Sequence, residues 1–267
     1  MEVLARQLIL DMVMVRHPLP CPVHDLLLAG RVFAMTDNSI RVTVTRLVTQ
    51  GHLSTAGRGL YVMGPSAEHL AQELRNWRQA ESRLRAWDGH YLLVYTGDMS
   101  RSDRSALRRQ ERALAMLGFR EVRRGLSLRP DNLDASLADV RERLQALGLP
   151  LGAMVARLDG LESSEEAVLR DLWPLQQLDE NYRQLNQKLQ NWLNQAASLT
   201  TEQAARESFV WGREAIHQVL FDPLLPDSWI DAQARRMFFQ GVIAFDEFGQ
   251  NIWRQFLQQT QDEAGLY

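Results

Sequence analysis

Lysine is almost missing from this chain: all of its 30 basic residues but Lys188 are arginine. Cysteine is as scarce. Cys21 stands alone, so no disulfide can form within the chain. Long apolar runs are missing too, since none approaches the roughly 20 residues that a membrane-spanning helix needs. Residues 1–15 are interrupted by Glu2, Arg6 and Asp11, which does not fit a secretory leader. His17, His24, His52, His69, His90 and His217 show no metal-ligand spacing with one another or with Cys21, so no zinc site is expected. No low-complexity tract or short-period repeat interrupts the sequence. These absences lead us to expect a cytoplasmic protein without metal, cofactor or membrane partner. What is present is 267 residues, 45% of them hydrophobic, enough for about two domains with cores of their own.

Charge is distributed unevenly along the chain. Residues 1–130 carry 19 Arg against 12 Asp or Glu, a net +7, and residues 131–267 carry a net −10. Arginine is the better bidentate partner for phosphate and guanine, although a GC-rich codon usage would produce the same excess.

The basic half opens with three short apolar segments, 4–15, 23–35 and 37–48, the first two separated by Pro18, Pro20 and Pro22. Thr36 and Asp37 can cap the third, and Gly51 stands where its C-terminus would fall. Ile40, Val44, Leu47 and Val48 form one helical stripe. Ile40, Val42 and Val44 also alternate in strand fashion, but alternation fails after Val44, and the caps bracket one helix of ordinary length. Residues 53–55 and 60–63 read as two strands around Gly57-Arg58-Gly59. Three helices followed by a β-hairpin is the winged helix-turn-helix order, in which the third helix enters the DNA major groove and the hairpin lies near the backbone or minor groove. With its core stripe occupied, that helix leaves Asn38, Ser39, Arg41, Val42, Thr45 and Arg46 for DNA, with Arg58 at the wing tip. Arg41 and Arg46 suit guanine, Asn38 suits adenine, and Val42 or the Thr45 methyl suits thymine. The same exposed face would also serve a protein-binding winged helix.

A helical stretch over 65–87 carries Leu70, Leu74, Trp77, Leu84 and Trp87, a stripe that suits packing on its own domain and a dimer seam equally well. Next comes strand 91–96, helix 105–117, strands 119–123 and 126–129, helix 135–147 and strand 153–158, the β-α-β-β-α-β order of a ferredoxin-like domain. From about residue 162 onward the pattern is helical: 165–172, 178–197, 201–220, and 228–257 with a break expected near Gly241 or Gly249. The expected organisation is α+β and multidomain. It comprises a winged helix-turn-helix over 1–64, a linker helix over 65–87, a ferredoxin-like domain over 88–160 and an all-α domain over 161–267.

Three blocks, in order, resemble the PaaX family of repressors of phenylacetic-acid degradation operons. The first is Arg41-Val42-Thr43-Val44-Thr45-Arg46-Leu47-Val48, followed by Gly51-His52-Leu53 and Gly57-Arg58-Gly59-Leu60-Tyr61. The second is Trp87-Asp88-Gly89-His90-Tyr91-Leu92-Leu93-Val94, continued by Leu117-Gly118-Phe119, Gly125 and Pro130. The third is Phe221-Asp222-Pro223-Leu224-Leu225-Pro226 followed by Trp229. The resemblance implies a homodimeric repressor of double-stranded operator DNA with a Cas2-like middle domain. It also implies release by an aryl-CoA thioester such as phenylacetyl-CoA. The sequence departs from the family pattern at Tyr91, where tryptophan is usual, and at Ile230-Asp231, where a small residue or glycine is usual.

An enzyme is the alternative. Nucleases of the Cas2-like fold carry an aspartate near the end of the first strand, and here Asp98 follows Tyr95-Thr96-Gly97, which suits a Mg-dependent nucleic-acid-processing enzyme. Asp98 and Asp103 are better read as helix caps, and no catalytic residue is assigned. No effector pocket is assigned either. Arg101, Arg104, Arg108 and Arg109 form a basic face that suits anions, but solvation explains it as well. Trp192, Trp211, Trp229, Phe238, Phe239 and Trp253 are read as core.

Overall fold

A computed structural model describes residues 3–97 and 102–263. The architecture is mixed α+β, with two antiparallel sheets and a helical C-terminal region. Its residues divide into two compact units, one of Met1–Arg75, Lys188–Ile216 and Gly241–Tyr267, the other of Asn76–Gln187 and His217–Gln240.

The first unit opens with α1 (Ala5–Arg16), the two-residue strand β1 (Cys21–Pro22), α2 (Val23–Val32) and α3 (Asp37–Thr49), followed by β2 (Leu53–Gly57) and β3 (Leu60–Met63). The strands pair antiparallel in the order β1-β3-β2. The hairpin was legible in the sequence; β1 was not, because a strand of two residues carries no alternation. Leu8, Ile9, Leu26, Ile40, Val44, Leu47 and Leu53 bury their side chains in one core, each contributing about 1.5–3 kcal/mol. Phe209 and Trp253 pack against that core, and Phe33 meets Phe209 edge to face at 5.3 Å. The helix reading of 37–49 is therefore the one adopted, with the apolar stripe turned inward.

Two positions fix how α3 sits. A Cβ on Gly30 of α2 would lie 2.7 Å from Cγ1 of Ile40, so the two helices approach as closely as glycine allows. At the other end Gly51 has φ +71 and closes the helix, with His52 N donating to Leu47 O at 2.9 Å.

The second unit holds β4 (Tyr91–Tyr95), α5 (Arg104–Met116), β5 (Arg120–Arg123), β6 (Leu126–Pro130), α6 (Leu137–Leu147) and β7 (Met154–Leu158). The sheet order is β5-β6-β4-β7, every neighbour antiparallel, so β4 sits in the interior although it is the first of these four strands in the chain. Tyr91 is fully buried and packs with Trp87, Trp173 and Trp229; the Trp87 and Trp229 rings meet edge to face at 5.1 Å.

The remaining helices are α7 (Ser163–Arg170), α8 (Leu175–Gln195), α9 (Thr201–Leu220) and α10 (Ala232–Glu263). The structure differs from expectation in two places. The break near Gly241 or Gly249 does not occur. Both glycines are buried, and a Cβ on Gly249 would lie 3.4 Å from Cβ of Ser208, so close helix packing rather than a kink accounts for Gly249. The helix over 65–87 is also shorter than its periodicity implied. The helix α4 (Glu68–Asn76) gives way to short 3-10 turns, and Leu84 forms a strand-like bridge with Leu133, fastened by Arg85 N on Asn132 O at 2.9 Å. The side chains of Leu70 and Leu74 lie outside the described set.

Candidate nucleic-acid interface

The face of α3 opposite its core stripe is polar and exposed. Thr36 caps the helix, its hydroxyl accepting from Ser39 N at 3.2 Å. This cap is worth about 1 kcal/mol. Arg31 on α2 grips Asp37 bidentately, Nε to Oδ1 at 3.2 Å and Nη2 to Oδ2 at 3.0 Å. That grip holds the Asp37 carboxyl below the usual carboxylate range. Asp37 is thereby spent on fixing the helix start.

Asn38, Ser39, Arg41, Val42, Thr45 and Arg46 are all exposed. Val42 is 51% exposed, a large apolar side chain in water amid polar neighbours. Val42, Thr45 and Arg46 line one open concavity together with Thr49 and Gln50. These last two were missed in the sequence, although they continue Thr45 and Arg46 by one helical turn. Thr45 donates its hydroxyl proton to Arg41 O at 3.0 Å, and Thr43 and Thr49 donate likewise one turn back. Thr45 therefore offers a methyl and a lone pair rather than a free donor. Among the described residues neither Arg41 nor Arg46 has a hydrogen-bonded or ion-paired partner, so both guanidinium forks are available to a ligand.

Arg58 is exposed between Gly57 and Gly59, whose φ of +154 and +70 turn the chain between β2 and β3. At the opposite end of that hairpin His52 accepts from Arg6 Nη2 at 2.9 Å. Partial burial, reinforced by the Arg6 charge, pushes the His52 pKa down, so the ring is held as a neutral acceptor.

Asp103 caps α5, accepting from Ser105 N at 2.8 Å and Ala106 N at 3.0 Å. Asp98 and Arg101 lie outside the described residues. Among the described residues no group of three or more His, Cys, Asp or Glu side chains is placed to hold a metal ion. On α5, Arg104, Arg108 and Arg109 are exposed, and Arg109 donates to Ser105 Oγ at 2.9 Å. Trp192, Trp229, Phe238 and Phe239 are buried, as expected of core aromatics. No helix among the described residues is long and apolar enough to cross a membrane.

Comparison with known proteins adds to this geometry. The uncharacterized protein Rv0674 from Mycobacterium tuberculosis is similar in fold, with a TM-score of 0.55 and 22% identity, over 93% of this chain and 98% of that one. No curated protein matches the chain. Residues 173–255 match the PaaX-like protein C-terminal domain, and Phe221-Asp222-Pro223-Leu224-Leu225-Pro226 and Trp229 fall inside that segment. The chain thus carries a PaaX-like C-terminal domain, and it is through that domain that it resembles the PaaX family.

Proposed function

We propose that the protein is a homodimeric DNA-binding transcriptional repressor, with residues 1–64 as a winged helix-turn-helix and α3 as the helix that reads the major groove. The observation that carries the reading is the outer face of α3. A capped helix, seated by its buried inner face, presents two exposed arginines, an exposed valine and a threonine at spacings that one groove can meet. The PaaX-like C-terminal domain supports a regulator rather than an enzyme.

On this reading the domains follow the boundaries 1–64, 65–87, 88–160 and 161–267, and the four-stranded sheet with α5 and α6 is the ferredoxin-like, Cas2-like middle domain. Its β-α-β-β-α-β connectivity and interior first strand are what support that assignment. DNA contacts are assigned to Asn38, Ser39, Arg41, Val42, Thr45, Arg46 and Arg58. The regulated genes are an aromatic-acid, phenylacetate-type catabolic operon, and an aryl-CoA thioester such as phenylacetyl-CoA releases the protein from its operator.

The test is footprinting on duplex DNA enriched from a random library by the full-length protein. Two protected half-sites about one helical turn, or a multiple of it, apart are expected, with protection lost on adding phenylacetyl-CoA. A single unrepeated site would contradict the dimer, and protection that survives every aryl-CoA tried would contradict the effector.

A further inference from the structure

A cavity of about 230 Å³ opens in the second unit where Arg120, at the start of β5, meets α8 and the loop that follows α9. Its apolar wall is Leu178, Leu185 and Phe221, and Tyr182 and Phe238 form a stacked pair with centroids 5.8 Å apart. At about 30 Å³ for each water-sized atom, the space holds about eight heavy atoms, close to one ring with a short substituent. It is smaller than the sites that enclose whole drug-sized ligands.

The polar groups in the wall are divided into spent and unspent. Asp222 is spent, because Oδ2 accepts from the Tyr182 hydroxyl at 2.6 Å and Oδ1 accepts from Leu224 N at 2.8 Å. Asn181 Oδ1 accepts from Gln177 at 3.0 Å. Arg120 and Gln218 have no hydrogen-bonded or ion-paired partner among the described residues, so the unspent charge of the wall is positive.

A strained segment borders the cavity. Leu224 has φ +47, in the left-handed region that a leucine rarely adopts. It is held there by Asp222 on its N–H and by Asn132 Nδ2, which donates to its carbonyl at 2.8 Å. Asn132 in turn accepts from the fully buried Arg129 at 2.9 Å. A Cβ on Gly118 would lie 2.5 Å from Pro223 O, so this loop is pressed directly against the residues leading into β5. A series of hydrogen bonds thus links Asp222 through Leu224 and Asn132 to Arg129 in β6.

We propose that this cavity is the effector site of the protein and takes an aryl-acyl group, its ring among Leu178, Leu185 and Phe221 and its carboxylate or carbonyl oxygen on Arg120 and Gln218. The inference deepens the regulator reading and rests on it only for the consequence of binding. A free aryl acid and the acyl end of a thioester share this chemistry.

The test is calorimetric titration of the full-length protein with phenylacetate, phenylacetyl-CoA, acetate and inorganic phosphate, with Arg120→Ala, Arg120→Lys and Gln218→Trp as variants. One aryl ligand per chain is expected, bound at least tenfold more weakly by Arg120→Ala and partly restored by Arg120→Lys. Gln218→Trp, at an exposed rim position, is expected to block binding with the urea midpoint unchanged. Phenylacetate binding supports a site satisfied by the acid, and binding of the thioester alone supports one satisfied by its acyl end. Acetate or phosphate binding as well as the aryl ligands, no aryl ligand binding at millimolar concentration, or Arg120→Ala and Gln218→Trp binding like the parent would each overturn the proposal. Enriched DNA is titrated against the same samples without ligand. Failure there defeats the regulator reading while leaving the calorimetric result standing.

Discussion

Replacing Tyr182 by phenylalanine isolates the buried hydrogen bond beneath the Asp222-Pro223 loop. The ring survives the change, so stacking on Phe238 is kept and no large cavity forms. What is lost is the donor 2.6 Å from Asp222 Oδ2. Asp222 is almost wholly buried, and its other oxygen is already taken by Leu224 N. A hydrogen bond to a charged group is worth about 1.5–3 kcal/mol, and a stranded buried acceptor costs about 1–3 kcal/mol, so the expected loss is about 2 kcal/mol. With a urea m-value of about 2 kcal/mol/M this shifts the midpoint of the affected transition by about 1 M. Burial raises the Asp222 pKa and the Tyr182 hydroxyl lowers it, so the variant raises it further. A carboxyl whose folded pKa is raised contributes stability at low pH that is lost as pH rises through the folded value. The deficit should therefore grow as pH rises through the folded value. An unchanged midpoint, or a deficit that grows toward low pH, would refute the reasoning.

Gly30→Ala places a methyl 2.7 Å from Ile40 and should cost about 1–3 kcal/mol in urea unfolding; stability equal to the parent would show that α2 and α3 are not held so tightly. His52 has a folded pKa below its ordinary value of 6.5, so it contributes stability above that pH which is lost as pH falls toward the folded pKa. His52→Gln should flatten that part of the stability profile measured by thermal melts, and an unaltered slope would remove the Arg6–His52 contact from the account. Burial, with help from Asp25, pushes the Cys21 thiol up to about 12. A disulfide reagent should therefore label native protein far more slowly than unfolded protein, and rapid native labelling would contradict the packing of β1.

Legibility in the sequence followed the range of the interactions involved. The α3 helix could be read because its cap at Thr36, its stripe through Ile40, Val44 and Leu47, and its stop at Gly51 are all local. Tertiary contact decided what the pattern could not. Leu84 fits a helical stripe, yet it leaves the helix because Leu133 offers it a strand partner. Gly249 looks like a helix breaker and is a packing contact with Ser208. The exposed residues of α3 follow by subtraction once its core face is known, and Thr49 and Gln50 continue that face one turn beyond Thr45 and Arg46, at the helix end where the stripe no longer marks it. The cavity beside Arg120 was invisible, since Arg120, Tyr182 and Asp222 are far apart in the chain and nothing periodic relates them.

The central claim is that the outer face of α3 reads DNA. It is tested most directly by the affinity of Arg41→Ala and Arg46→Ala for the enriched duplex and for scrambled duplex at one fixed salt concentration. Neither arginine has a hydrogen-bonded or ion-paired partner among the described residues, so both variants should unfold within about 0.5 kcal/mol of the parent. Each should lose about 1–3 kcal/mol of specific binding, roughly five- to 150-fold, with relaxed preference at one base pair. Specific affinity and sequence preference unchanged in both variants would contradict the assignment of α3 as the recognition helix.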